Sequence, residues 1–467
     1  VRRGARIAAT LRRVRAPSCL LAVALAAMAC EPTPPPRVLL LVTVDTLRAD
    51  HLGAYGSRLG LTPEIDALAA GSLVFEAAYA AAPLTVPSIA ALFTGRLPEA
   101  LGIRSNESAL PAGEATLASD LRERGWRTGA VVSNFVLRAG SGLAGGFDRY
   151  DDALPRREAV RRWPERSARD ATDAALGLLD ACAAARCFVW VHYQDPHGPY
   201  DPPPGRRERQ LPRAGEDPDA AQRLPVGSDH AGLGAIPAYQ YLGGRRDVAF
   251  YRAGYRGEVE YVDQEIGRLL AGLRERGLEE SAVVVFAADH GESLGERGVW
   301  FAHGDRLGDE QVRVPLLLRV PGRAPGRRGD VASLADLRPT LLQLLEGRRP
   351  AGAAGRDLLA PGAEDAASRP YLATSRVSGT RRTALIDLGH KLVLSEEEGG
   401  ERAELYRLGR EDLDLAASEP ELVRSLRERL LAARQALPAA PAETPQALSA
   451  EDRARLGALG YQEPPPE

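Results

Sequence analysis

Lysine is all but missing from this chain of 467 residues: Lys391 is the only one among 60 basic side chains, and the rest are arginine. That skew reads as nucleotide composition and carries no functional conclusion. Cysteine is scarce too, at four residues, so a packed core and not a set of cross-links must hold the fold. Cys182 and Cys187 stand five apart and could pair in an exported protein; no second pair of thiols exists to complete a zinc site with them. Aromatic residues make up 5%, and no basic run interleaves with them, which removes nucleic acid from the partners to consider. What is present, 44% hydrophobic and 26% charged residues, describes a large globular chain and excludes a disordered linker. The length suits two or three domains, or one large α/β domain with a small one.

The amino-terminal end is not part of the fold. Arg2, Arg3, Arg6, Arg12, Arg13 and Arg15 precede the apolar stretch Cys19–Ala29, and Cys30 follows at once. Eleven apolar residues are too few to span a bilayer, and the layout is that of a signal peptide over 1–29. Ala27 and Ala29 before Cys30 resemble a bacterial lipoprotein cleavage box. Cys30 is then the lipidated first residue, and 30–36, ending in three prolines, a short stiff tether. An ordinary secretory signal is the plainer alternative. The expectation is export, with a lipid anchor in the bacterial cell envelope. Loss of 1–29 removes six arginines and no acid, moving the formal charge from −3 to −9.

Arg37–Val44 is a nearly continuous apolar run closed by Asp45, the pattern of a central strand covered on both faces. The shape recurs at Arg127–Ser133, Cys187–Tyr193 and Ala282–Ala287. Helical spacing lies between: Leu117 and Leu121 within 116–124, small apolar residues over 168–185, and Val259, Val262, Ile266, Leu269 and Leu273 within 255–273. Strands alternating with helices predict an α/β fold, a doubly wound, mostly parallel sheet flanked by helices, with ligands beyond the carboxyl ends of the strands. That domain is expected over 37–368, with 201–247, rich in Pro, Gly and Arg, as an inserted surface segment. A small α+β subdomain over 369–436 and a Pro/Ala/Glu-rich, poorly ordered tail over 437–467 complete the chain.

The chemistry-capable residues stand at those strand ends. Asp45, Asp289 and His290 offer two carboxylates and an imidazole, competent ligands for one divalent cation: Zn, Mn or Ca. An Asp after a strand is otherwise a turn residue or a cap, and spacing alone does not bring residues 45 and 289 together. Pro83–Gly95 reads as a loop leading into an apolar helix. Pro87 belongs in the first turn and puts Thr85 at or just before the cap, where free N–H groups and the helix dipole favour negative charge. A hydroxyl held there beside a cation can become a nucleophile; the alternative is a plain threonine cap worth about 1 kcal/mol. His197, in a proline-rich loop, and His303, in a glycine-rich one, could each touch a substrate oxygen, protonate a leaving group or satisfy a loop carbonyl. His192, inside a strand, reads as a packed or hydrogen-bonded residue.

Together these segments resemble the sulfatase family of the alkaline phosphatase superfamily. Val44-Asp45-Thr46-Leu47-Arg48-Ala49-Asp50-His51 is similar to its first metal segment, and Thr85-Val86-Pro87-Ser88 with Leu92-Phe93-Thr94-Gly95 occupies its nucleophile motif. Asp195-Pro196-His197 resembles the substrate-side histidine loop, and Asp289-His290-Gly291 the second metal segment. Glu404-Leu405-Tyr406-Arg407-Leu408 is similar to the carboxyl-terminal signature. The resemblance implies one divalent metal on Asp45, Asp289 and His290, with Thr46 at a position where the family commonly has Asp, as a further ligand or a neighbour of one. It implies catalytic roles for Thr85, His197 and His303.

The chain also departs from that family. Sulfatases carry Cys or Ser where Thr85 stands, oxidised to formylglycine, and Arg where Ile89 stands; formylglycine is not expected on Thr85. The family's lysine after Gly-Tyr-x-Thr-Gly has no counterpart, because Gly125-Trp126-Arg127-Thr128-Gly129 leads to Ser133 and Asn134. The implied function is hydrolysis of sulfate or phosphate (di)esters by a Thr nucleophile, on a small-molecule, glycan or lipid-headgroup substrate. The alternatives are a phosphoglycerol- or phosphoethanolamine-type transferase and an inactive metal- or ligand-binding homologue.

Overall fold

The computed structural model describes residues 35–446 apart from 161, 214–215, 229–230, 351, 363–370, 378–379 and 398. The signal peptide expected over 1–29, Cys30 and the tail beyond 446 lie outside the described residues, as does most of the expected tether. Among the described residues no helix is long and apolar enough to cross a membrane.

Val38–Val44 (β1) is buried at every position, as a strand covered on both faces must be. It lies inside an eight-stranded sheet with Leu73–Tyr79 (β2), Arg127–Val132 (β3), Arg149–Asp151 (β4), Cys187–Tyr193 (β5), Ala282–Ala288 (β6), Leu316–Arg319 (β7) and Gly326–Ser333 (β8). The order is β8-β2-β7-β6-β1-β5-β3-β4. Strand β1 pairs in parallel with β6 and β5, and β3 in parallel with β5; β7 alone runs against both of its neighbours. The four apolar runs of the sequence are therefore four adjacent strands, β6, β1, β5 and β3.

Six helices cover this sheet. Pro63–Ala70 (α1), Ala168–Leu179 (α4) and Val248–Glu275 (α5) pack together, as do Thr85–Thr94 (α2), Leu117–Glu123 (α3) and Leu337–Glu346 (α6). This is the doubly wound arrangement that the alternating pattern predicts. The stripe Val259, Val262, Ile266, Leu269 and Leu273 is the buried face of α5, which begins earlier than the apolar period does. Cys182 and Cys187 form a disulfide that ties the turn after α4 to the start of β5.

A second sheet, purely antiparallel, follows in the order Tyr371–Val377 (β9), Thr380–Asp387 (β10), His390–Glu397 (β11) and Gly400–Arg407 (β12), with Pro420–Gln435 (α7) against it. It docks beside the loop that precedes α2: the Thr374 N–H donates to Ala81 O at 3.1 Å and the Tyr371 hydroxyl to Ala80 O. The one lysine ties the second sheet to the segment before β7. Lys391 is buried, with Nζ 2.9 Å from Asp309 Oδ1 and 2.6 Å from Glu411 Oε1, and Arg297 reaches both Glu411 and Glu310. Replacing Lys391 by Met should cost about 3 kcal/mol, because the partly buried Asp309 loses its cation and Glu411 keeps only Arg297. Calorimetry checks this; a loss below about 1 kcal/mol would show that the network is solvated.

The stretch after Leu437 is irregular but not detached. Residues 443–446 lie against 105–109, the Ala109 N–H donating to Thr444 O and the Gln446 N–H to Glu107 O, both at 2.7 Å. The composition of this segment hides that docking, because alanine and proline carry no pattern and one buried glutamine makes most of the side-chain contact.

Candidate active site

Strand register brings the acidic ends together. Val44 pairs with Ala288 on one side and with Tyr193 on the other, so Asp45 and Asp289 leave the sheet at the same level. Spacing of 244 residues is thereby reduced to contact distance. The turn after β6 needs glycine: a Cβ on Gly291 would lie 2.1 Å from Glu310 O, so only a bare backbone lets His290 turn inward there.

Asp45, Asp289 and His290 are wholly buried and form the one cluster of metal-ligating groups among the described residues. His290 Nδ1 donates to Gly291 O at 2.9 Å, which leaves the Nε2 lone pair facing inward. That Nε2 lies 3.6 Å from Asp45 Oδ1 and 3.7 Å from Asp289 Oδ2. Both carboxylate oxygens, and the Thr46 hydroxyl beside them, are buried without a hydrogen-bond partner. Three electron-rich atoms converging in a dry site fit a divalent cation and repel one another without it. Thr46 adopts φ +55°, a strained value for a β-branched residue, and its N–H donates to Asp289 Oδ1 at 3.2 Å.

The two carboxyls are pushed apart in pKa. Burial raises Asp45, but the nearby imidazoles of His197, His192 and His290 outweigh it and hold the group far below the usual carboxylate range. Burial and the Asp45 charge push Asp289 well above that range. Two carboxyls this close do not both ionise readily without a cation between them.

The hydroxyl of Thr85 meets this cluster. Thr85 is the first residue of α2, one step further into the helix than a cap, and Leu84 takes the cap position without a side-chain bond. Thr85 Oγ1 lies 3.4 Å from His290 Nε2. Ser88 Oγ, one turn on, donates to Asp289 O at 2.6 Å and fixes the helix to the end of β6. The open amide of Val86 donates to Asn106 Oδ1 at 2.9 Å, so the cap comes from another loop. All ten residues of α2 are buried, Ile89 in the main core, and Ile89 brings no charge to the site.

Imidazoles line the other side. The ring centre of His303 lies 4.5 Å from that of His290 and 5.2 Å from that of His197. His303 follows the short strand Trp300–Ala302, and its Nδ1 is 3.1 Å from Glu292 Oε1. Burial, then the neighbouring His290, lowers His303 to about 3 and keeps it neutral, while burial lifts Glu292 to about 7. His197 donates from Nδ1 to Gly198 O at 2.7 Å, which leaves Nε2 as the ring's acid–base atom. In the same loop Asp195 shares a hydrogen bond with buried Glu258; burial raises Asp195 to about 6 and Glu258 well above its usual value.

Four further residues carry no sequence signal of a role here. The Asn134 amide donates to Asp45 Oδ2, from a position noted in the sequence only for its lack of lysine. His192 is hydrogen-bonded to the neighbouring strand and also faces the site. Trp190 Nε1 donates to Thr43 Oγ1, and that hydroxyl is hydrogen-bonded to His192 Nδ1, both at 2.9 Å. His192 Nε2 faces Asp45 Oδ2, 3.7 Å away. Asn106 holds Val86, and its Nδ2 is buried without a partner. Glu292 orients His303. Only the chain order Thr43, Asp45 and the strand pairing could have pointed to His192; the two asparagines lie in loops without any period.

Residues 37–347 match the family model described as Sulfatase, which is most of the chain. The chain belongs to the sulfatase family. Human iduronate 2-sulfatase is 28% identical over 337 residues, 61% of this chain and 60% of that protein, so the match spans less than two thirds of that relative. Human arylsulfatase A is 30% identical over 359 residues, 70% of this chain and 67% of that protein. Among solved structures, one in complex with D-glucosamine-2-N,6-O-disulfate as its substrate superposes with a TM-score of 0.71 at 18% identity, covering 86% of this chain and 98% of the other. A phosphonate monoester hydrolase from Silicibacter pomeroyi gives 0.69 at 22% identity, covering 86% and 95%. Both structural likenesses concern the fold. Within this sulfatase-family fold Asp45, Asp289 and His290 lie together, with the Thr85 hydroxyl beside them.

Proposed function

We propose that the chain is a metal-dependent hydrolase of sulfate or phosphate diesters, with Thr85 as its nucleophile. One observation carries the reading: Thr85 Oγ1 lies 3.4 Å from an imidazole nitrogen of the only cation-ready cluster among the described residues, at the start of a buried helix. Asp45, Asp289 and His290 would hold the cation. When bound, it supplies Lewis acidity that lowers the pKa of the Thr85 hydroxyl and offsets charge on the ester oxygens.

The Thr85 oxygen attacks phosphorus or sulfur in line, the bond to the leaving oxygen breaks, and the hydroxyl proton passes by way of His197 Nε2 to that leaving oxygen. Water then attacks the Thr85 ester, the bond from Oγ1 to phosphorus or sulfur breaks, and one proton of the water returns by way of His197 to Oγ1. His303, held neutral, orients a nonbridging oxygen as a hydrogen-bond partner. A threonyl phosphate can be opened this way, whereas a threonyl sulfate lacks the C–O elimination route of a formylglycine adduct, which favours a phosphodiester. For the leaving group, a cavity of about 690 Å³ lies against Leu84 and Pro87, the near neighbours of Thr85, with Arg104, Arg376 and Ser375 on its wall. Its basic side chains suit a small or glycan substrate that carries a further anionic group.

Burial of Ile89 favours one other reading, a homologue that binds the cation without turnover. Peptide mapping around Thr85 after incubation with activated aryl sulfate, phosphate and phosphodiester decides between them. A covalent adduct on Thr85 that turns over is expected, and transfer to an added alcohol in place of water would mark a transferase. Metal bound with no adduct from any ester would leave the inactive reading. We further read the chain as exported and held by lipid on Cys30; the Cys182–Cys187 disulfide supports an oxidising compartment.

A further inference from the structure

Gln446 is buried in a segment that otherwise lies open, and its side chain bonds only to backbone. Its Nε2 donates to Asn106 O at 2.9 Å and to Val136 O at 3.0 Å, with Ser108 O at 3.3 Å sharing the same two protons. Those carbonyls belong to two separate loops that meet at the active centre. The first carries Asn106, whose Oδ1 takes the Val86 N–H in the first turn of the nucleophile helix. The second is the turn Phe135–Leu137, capped by Asn134, which accepts the Val136 N–H on Oδ1 and donates from Nδ2 to the cation ligand Asp45. One amide group thus ties the loop that holds the nucleophile helix to the loop that holds the metal carboxylate.

We propose that Gln446 is a positioning residue, and that the carboxyl-terminal segment is a working part of the active-site frame. The two asparagines act at the site only while their backbones keep a fixed separation, and the direct bond between the two loops, from the Leu110 N–H to Ser141 O at 2.8 Å, lies further along both of them. The neighbouring contacts hold the segment in place without crossing that separation: the Ala109 N–H bonds Thr444 O, and Ser108 Oγ donates to Glu443. Only Gln446 reaches both loops. Without its donors three buried carbonyls lose a partner, and near the two asparagines the loops keep only the more distant Leu110–Ser141 bond between them. The consequence for turnover rests on the hydrolase reading above; the consequence for loop order and cation affinity does not.

The test compares the full-length protein with Gln446→Met, which keeps the length of the side chain and removes its donors. Cation affinity is read by competition with a zinc chelator, and hydrogen exchange is followed in peptides covering 84–90 and 134–140. The expected result is affinity weaker by about tenfold, the scale on which second-layer groups act on metal sites. Exchange should be faster in both peptides, and kcat should fall about tenfold on an aryl phosphodiester with KM within about twofold. Gln446→Asn, which keeps the amide on a shorter arm, should shift each quantity less and in the same direction; it serves if the Met variant does not fold. Unchanged affinity and exchange, even with a lower melting temperature, would make Gln446 a structural residue and overturn the proposal. Changed affinity and exchange in a protein that turns over no ester would uphold the clamp and remove the hydrolase reading instead.

Discussion

Thr85→Ala should lower turnover of an aryl phosphodiester or aryl sulfate by at least about 10⁴-fold, the scale of losing a nucleophile, while the protein keeps its cation. The reason is local. The substitution removes one hydroxyl at the first position of α2, where alanine is well tolerated, and leaves Asp45, Asp289 and His290 in place. The bonds that dock the helix, from Ser88 to Asp289 O and from Val86 to Asn106, do not involve the Thr85 side chain. Thr85→Ser keeps the oxygen and should stay within about tenfold of the parent. Steady-state rates with metal analysis on the same samples check both. Equal rates for the Ala variant and the parent would end the nucleophile assignment.

Stripping the cation should lower the melting temperature by about 5–10 °C, and the loss should grow with pH. A ligand at about 1,000 times its Kd adds roughly 4 kcal/mol of stability, and each kcal/mol moves the midpoint of a large domain by a few degrees. The pH trend follows from Asp289, whose folded carboxyl is raised above the ordinary aspartate value by burial and by Asp45. Such a group favours the stripped form at low pH, and that contribution is lost as pH rises through the raised value. The loaded form behaves oppositely, since its ligands bind as carboxylates. Calorimetry at pH 5 and pH 8, with and without chelator, should therefore show the wider gap at pH 8. Asp289→Asn should abolish the chelator effect and raise the melting temperature of the stripped form. A gap that is absent, or that narrows towards pH 8, would contradict the cluster as a cation site.

The legible parts of this molecule are those where one side chain repeats a neighbour's burial. Val38–Val44 and Ala282–Ala288 announce themselves as inner strands because every position is apolar or small, and α5 because its stripe returns every three or four residues. Thr85, Asp45, Asp289, His290, His197 and His303 are legible one by one, as polar residues at the ends of such runs. Asn134 and Asn106 are not, since an asparagine in a loop has the same appearance whether it caps a turn or holds a carboxylate. Lys391 is a similar case: its rarity is visible, but its burial between Asp309 and Glu411 depends on where a second sheet docks.

Sequence by itself was enough for the α/β architecture, the carboxyl ends of the strands as the place of chemistry, and the identity of the groups at that place, because burial and periodicity are local properties of the chain. Tertiary structure alone decided that Asp45 and Asp289 share one level of the sheet, that His192 faces Asp45, and that a glutamine at position 446 reaches two loops more than 300 residues away. These follow from strand register and from single hydrogen bonds between distant segments. Neither leaves a period in the sequence, because each is satisfied by one residue and not by a repeating face.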